Sequence, residues 1–377
     1  MGPIVPAGPV SRVIGVDDVR RWRVPGRVNL IGEHLDHNGG AALPIAIDRS
    51  LLIKARGRTD GVVNVWSRGE RASFPVDVSP GAVTDWSAYV AGAAWALRSA
   101  GGRVTGADLV LESDLPVGAG LASSAALTCG VVLALDNLAG IDRPREETAL
   151  VAQSAENDFV GVPTGLMDQY AVLLAEPGHA LRVDFGGDAP AVEQVPVDWS
   201  EDGLTLAVID TGAHHRLAAG EYATRREECA AAASSAGVSS LASIGLDGLL
   251  SLTDETLKAR ARHVLTESTR VRGAVTALRR RDWTAFGGML TSSHESLRDD
   301  FAVSCEELDV AVDAALQSEA LGARMTGAGF GGSVIALIPP DRVDGLRARV
   351  EAAFVARSWA APHVFTVRPA PAAAHLA

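Results

Sequence analysis

The stretch Pro116-Val117-Gly118-Ala119-Gly120-Leu121-Ala122-Ser123-Ser124-Ala125-Ala126 lies between a strand-like run, residues 107–111, and an apolar helix-like run, residues 125–138. A chain that turns on glycines from a strand into a helix leaves backbone N–H groups free in the first helical turn, where the helix dipole favours an anion. Gly118 and Gly120 carry no Cβ, so the backbone can approach a ligand closely there. Ser123 and Ser124 add hydroxyls that can cap the helix, bond a phosphate or reach a metal ion. The same residues also suit a plain strand-to-helix turn with a serine cap. The loop has neither the lysine of a Walker motif nor the spacing of a dinucleotide G-x-G-x-x-G, so neither of those phosphate motifs applies.

At 377 residues the chain exceeds one comfortable core. Two domains are expected, 1–195 and 196–377, divided within residues 188–202, where proline, glycine and acidic residues gather. Hydrophobic residues make up 47% and charged residues 21%, an ordinary globular balance. Every apolar run is broken well before membrane-spanning length, so no membrane partner is expected. Residues 1–10 lack the parts of a secretion signal, and Pro6 stands where a myristoylation motif needs serine or threonine. The three cysteines, Cys129, Cys229 and Cys305, have no zinc spacing, and so sparse a set suits a reducing cytoplasm. A net charge of −12 argues against a nucleic-acid surface. It leaves room for ATP, which N–H groups, a metal ion and one or two basic side chains can hold.

Hydrophobic patterning predicts strands over 28–31, 51–55, 62–67, 107–111, 181–183, 204–209, 333–338 and 364–367. It predicts helices over 86–97, 125–138, 222–235, 259–280, 283–294, 305–317 and 342–354, and one from the cap-like Asp142 and Pro144 to about Phe159. Residues 369–377 read as a frayed tail. No internal repeat is visible. Separate helical and strand segments in each half predict an α+β fold rather than a doubly wound parallel sheet.

Three further segments concentrate chemistry. Residues 26–40 pack Arg27, Glu33, His34, Asp36 and His37 between glycines, a density of donors and acceptors that suits a polyhydroxyl ligand or a solvated turn. Residues 161–170 set Asp168 just after a Gly/Pro turn, as a base, a metal ligand or a helix cap. Glu156, near the end of the preceding helix, opposes its dipole and needs a partner, either Mg²⁺ or a basic side chain. Residues 325–333, Met-Thr-Gly-Ala-Gly-Phe-Gly-Gly-Ser, form a second glycine loop, either a tight turn or a close backbone approach.

Taken together, these segments resemble the GHMP family of small-molecule kinases, in its galactokinase branch. Residues 26–40 resemble the branch's sugar signature, 116–126 the family phosphate loop, and 322–332 the third family motif. Residues 161–169, 221–226 and 294–300 add narrower matches, so the resemblance runs in consistent order over about residues 23–370. It implies a two-domain fold, with an N-terminal ribosomal-protein-S5-like domain and a C-terminal ferredoxin-like domain. It implies ATP and Mg²⁺ as cofactors and a small sugar as substrate, phosphorylated at the anomeric hydroxyl, by a monomer. Position by position, it implies Asp168 as catalytic base and Arg27 beside the transferred phosphate. Glu33, His34, Asp36, Gly165 and Tyr222 would contact the sugar. Gly118, Gly120, Leu121, Ser123 and Ser124, with Ser67 and Trp86, would face the nucleotide. Ser124 and Glu156 would be the Mg²⁺-linked pair. The chain departs from the branch's usual Glu-His-Thr-Asp-Tyr-Asn at Leu35 and His37, and Ala122 replaces a frequent serine. Those departures keep open a kinase for arabinose or a uronic acid. A sugar and ATP sensor without turnover is the rival from another class.

Overall fold

The computed structural model describes residues 18–116, 118–214 and 218–376. The expectation for residues 1–10 lies outside the described residues. The first sheet is built from β1 (Arg20–Asn29), β3 (Pro44–Gly57), β4 (Val62–Ser67), β5 (Glu70–Pro75) and β6 (Ala107–Ser113), joined at its edge by β13 (Ala374–Leu376). Its order is β13-β1-β3-β6-β4-β5, antiparallel except where β4 runs parallel to β6. Helices α1 (Ala88–Ser99), α2 (Ser123–Leu138), α3 (Arg145–Ser154) and α4 (Met167–Leu174) accompany it. α2 packs so closely that a Cβ on Gly130 would stand 2.6 Å from Ile53 and 2.7 Å from Val24. A small sheet follows: β2 (Ala41–Ala42), β7 (His179–Asp184) and β8 (Ala191–Pro196).

The second large sheet is antiparallel, in the order β10 (Gly322–Thr326), β11 (Gly331–Ile338), β9 (Thr205–His214) and β12 (His363–Val367). Around it run α5 (Ala218–Ser235), α6 (Leu246–Ser251), α7 (Glu255–Arg280), α8 (Trp283–Asp299), α9 (Glu306–Gln317) and α10 (Val343–Val355). α7 is capped by Asp254, whose side chain accepts from the N–H groups of Thr256 and Leu257. The division expected at 195/196 falls on the last two residues of β8; we propose that the boundary lies just beyond it, in the connection to β9.

Several local expectations are corrected. The segment 369–377 is not a frayed tail. Its strand β13 pairs with β1, Ala373 N–H donates to Val172 O at 2.8 Å, and the His375 ring meets Trp22 at 5.2 Å. The alanine-rich end is small enough to cover the sheet edge, which would otherwise expose unpaired backbone groups. Residue 377 lies outside the described residues. Leu30 and Ile31 fall past the end of β1, which instead starts at Arg20. Trp86 precedes α1. Pro144 is itself the cap of α3, so Asp142 does not cap it. α3 stops at Ser154 and continues as a π-helical turn, Ala155–Val160, a widening common at functional sites.

Candidate active site

Arg27 owes its aim to a break in register. The β1–β3 pairing shifts between Pro25 and Arg27, and a bulge of this kind redirects a side chain. Gly26 lies so close to the glycine loop that a Cβ would stand 2.8 Å from Leu121 O. Arg27 N–H donates to the same carbonyl at 3.1 Å. The guanidinium grips Asp168 with both arms, Nε to Oδ1 and Nη2 to Oδ2 at 2.7 Å each, while Nη1 donates to Gly120 O at 2.6 Å. Gly120 and Leu121, expected at the nucleotide, thus turn their carbonyls to Arg27. Asp168 is not a helix cap; that position belongs to Leu166, and its own carboxylate is drawn to the fork of Arg27.

Arg27 and Asp168 stand in the wall of a cavity of about 260 Å³, together with Glu33, His34, Asp36, Gly165 and Tyr222. The fold therefore gathers all the residues expected at the base and the sugar. Gly165 is required by proximity: a Cβ would lie 1.8 Å from Asp36 Oδ2. Asp36 Oδ1 pairs with His37 Nδ1 at 3.1 Å. Burial opposes its ionisation, but His37, first through its hydrogen bond, outweighs that and holds its carboxyl below the usual range. His34 adopts the left-handed conformation, φ 64°. Burial, with His37 and His263 nearby, lowers its pKa, so its ring is neutral. Burial raises the Tyr222 phenol. The two departures from the branch pattern do not line the cavity. Leu35 is wholly buried in the core against Gly40, and His37 stands behind Asp36 with its ring 5.8 Å from that of Tyr222.

Sequence reasoning missed the groups that brace this wall. Arg324 on β10 is fully buried, forms an ion pair with Glu33 and donates to Leu30 O at 3.0 Å. Gly327 N–H donates to the other Glu33 oxygen at 3.1 Å, so Glu33 ties the sugar signature to the second glycine loop. Burial still pushes the Glu33 carboxyl up, against the pull of Arg324. Glu267 on α7 accepts from Gly32 N–H at 2.9 Å and Ser293 Oγ at 2.6 Å. His263, driven down to about 4 by burial, packs 4.7 Å from Phe301, which also meets His34. An arginine inside the apolar β10 was the visible signal; its partner, almost three hundred residues away, was not.

A second cleft, of about 570 Å³, is lined by Ser67, Trp86, Gly118, Ser123 and Ser124, with Tyr89 and Arg68 unforeseen. Neither serine caps α2. They are its first two residues, and the cap is Ala122, held in the left-handed region at φ 58° with no side-chain bond. Their hydroxyls are left for other partners. Ser124 bonds Glu156, whose carboxylate also accepts from Thr128 Oγ1 and Gln169 Nε2 at 3.1 Å each. Burial, then the charge of Asp168, pushes the Glu156 carboxyl up to about 7. These partners are neutral, not the basic side chain that was one expectation. A buried carboxylate with a hydroxyl beside it is the all-oxygen donor set that a hard divalent cation takes.

Among the described residues no helix is long and apolar enough to cross a membrane. The models of the GHMP kinases N-terminal domain and the GHMP kinases C-terminal domain match residues 88–176 and 274–356. The galactokinase galactose-binding signature matches residues 12–56. A galactokinase of Mycobacterium bovis is 46% identical over 360 residues, covering 94% of this chain and 98% of its own length. One of Streptomyces coelicolor is 43% identical over 365 residues, covering 94% of each. The crystal structure of Lactococcus lactis galactokinase complexed with galactose superposes with a TM-score of 0.91 at 32% identity, covering 97% of this chain and 98% of that one. A mevalonate kinase structure, with a TM-score of 0.67 at 20% identity, shares the fold. The chain belongs to the GHMP kinases, in their galactokinase branch.

Proposed function

We propose that this galactokinase transfers the γ-phosphoryl group of ATP to the anomeric hydroxyl of D-galactose, with Asp168 as base and Arg27 beside the transferred group. One observation carries the assignment. Arg27 holds Asp168 at the sugar cavity with one side of its fork and the Gly120 carbonyl of the phosphate loop with the other. The acceptor and the triphosphate would thus meet at a single guanidinium. Phosphoryl transfer passes through a loose transition state, so alignment and charge neutralisation dominate. Asp168 would orient the hydroxyl and accept its proton, since carboxylate oxygens that accept from the Arg27 fork keep further lone pairs. Arg27, planar and always charged, would offset charge spreading over the phosphoryl oxygens. Asp36, Glu33, His34 and Tyr222 would hold the sugar. The free N–H groups at the start of α2, with Ser123, Ser124, Ser67 and Trp86, would hold the nucleotide.

Ser124 and Glu156 would hold Mg²⁺, which supplies positive charge to the phosphate oxygens when bound. The relatives favour neither a kinase for another sugar nor a sensor. The acidic charge and sparse cysteines support a cytoplasmic enzyme of small molecules, without nucleic-acid or membrane partners. We read it as a monomer, which sedimentation would check.

ADP release with Mg-ATP, measured against galactose, glucose, arabinose, talose, galacturonate and mevalonate, tests the proposal. Galactose should be the preferred acceptor. Asp168→Asn keeps the shape, removes the base and should lower turnover about a hundredfold or more. Near-normal turnover in that variant would remove Asp168 from its role.

A further inference from the structure

The hairpin from β4 to β5 turns on two residues, Arg68 and Gly69, closed by the Ser67–Glu70 pair. Both lie in the left-handed region, Arg68 at φ 50° and Gly69 at φ 84°. A type I′ turn, whose twist matches that of paired strands, requires this of both central residues. Gly69 complies freely. Arg68 does so against its own sterics, where asparagine, aspartate or glycine would serve better. Among the described residues no hydrogen bond or ion pair repays that choice, and Arg68 is exposed. Its neighbour Arg71, by contrast, bonds Asn64 Oδ1 at 3.3 Å and lies 5.1 Å over the Trp66 ring.

Arg68 opens instead onto the cleft of about 570 Å³, next to Ser67, in a wall shared with Gly118, Ser123 and Ser124. Among the described residues lining that cleft it is the one basic side chain. Arg27 lines the sugar cavity rather than this cleft, where its guanidinium bonds Asp168 and Gly120. The chain as a whole carries −12, so a polyanionic ligand entering here meets an unfavourable background field that a local cation would offset.

We propose that Arg68 is a nucleotide-binding residue that contacts the phosphate chain of ATP from the hairpin tip, in the cleft it lines with the glycine loop. The proposal rests on the ATP reading of this cleft. A residue kept in a conformation it disfavours, free of internal partners and facing a ligand site, is what a functional constraint leaves behind.

The test exploits a split between binding and stability. Arg68→Gly and Arg68→Asn suit the turn better than arginine, so the melting temperature should hold or rise. The KM for ATP should rise about three- to tenfold, the range of a partly exposed charged contact. That rise should shrink at high ionic strength. The KM for galactose and the turnover at saturating ATP should hold. Arg71→Ala removes the same charge from the same hairpin and should leave the KM for ATP unchanged. An unchanged KM for ATP in both Arg68 variants would overturn the proposal. So would an equal rise in Arg71→Ala, which would mean a general field, or an equal loss of adenosine binding, which would mean a contact to the base. Failure of the ATP reading itself shows separately, as absence of galactose-dependent ADP release from the unmodified protein.

Discussion

Replacing Gly165 with alanine should separate the two substrates. An alanine Cβ would stand 1.8 Å from Asp36 Oδ2 and 2.8 Å from its Cγ, far inside contact distance. Gly165 does not occupy the left-handed region, so alanine adds no backbone strain there, and the whole effect falls on Asp36. Relief requires the carboxylate to swing away, breaking its 3.1 Å bond to His37 and leaving its place in the cavity. A hydrogen bond to a charged group contributes about 1.5–3 kcal/mol. At about 1.4 kcal/mol per tenfold, losing the Asp36 contact should raise the KM for galactose roughly ten- to a hundredfold. The KM for ATP should hold, because neither Gly165 nor Asp36 lines the nucleotide cleft. Steady-state kinetics with each substrate varied, alongside thermal unfolding, reads this directly. An unchanged KM for galactose in a folded variant, or an equal rise for ATP, would refute the reasoning.

Three other expectations follow from buried groups. Burial holds the Glu156 carboxyl at about 7 against an ordinary 4.5, so between those values the native state binds more protons than the unfolded chain, and stability falls as pH rises through that window. Glu156→Gln should therefore be about 3 kcal/mol more stable than the parent in metal-free denaturant unfolding at pH 8, a gain that dwindles toward pH 5. Arg324→Met strands the buried Glu33 without its ion pair and should cost about 3–5 kcal/mol in denaturant unfolding. Leu35→Thr restores the residue usual in the branch but buries a hydroxyl in an apolar site. It should cost about 2 kcal/mol of stability and leave the KM for galactose unchanged.

The elements read most accurately were those whose pattern is local. The helices at 125–138 and 305–317 and the strand at 62–67 have long or strict periodicity and end where glycine or polar residues interrupt it. β8 and β10 went unread. β8 is short, polar and set in the stretch taken for a boundary. β10 runs into the second glycine loop, where Met325 and Thr326 look like loop rather than strand. Docking of residues 374–376 was invisible because an alanine-rich end has no periodicity of its own. Its order comes from the open edge of β1.

The sequence by itself determined the reactive inventory: two glycine loops, a cluster of Arg27, Glu33, His34 and Asp36, and Asp168 after a rigid turn. Residue type and spacing suffice there, since glycine freedom, fixed charge and helix N-termini are properties of short segments. Tertiary structure alone decided how they act together. The register shift at Gly26 brings Arg27 onto both Asp168 and Gly120, and Arg324 crosses from the second sheet to pair with Glu33. Such pairings depend on distance in space and on burial that turns a charge into a constraint, neither of which is carried by neighbours along the chain.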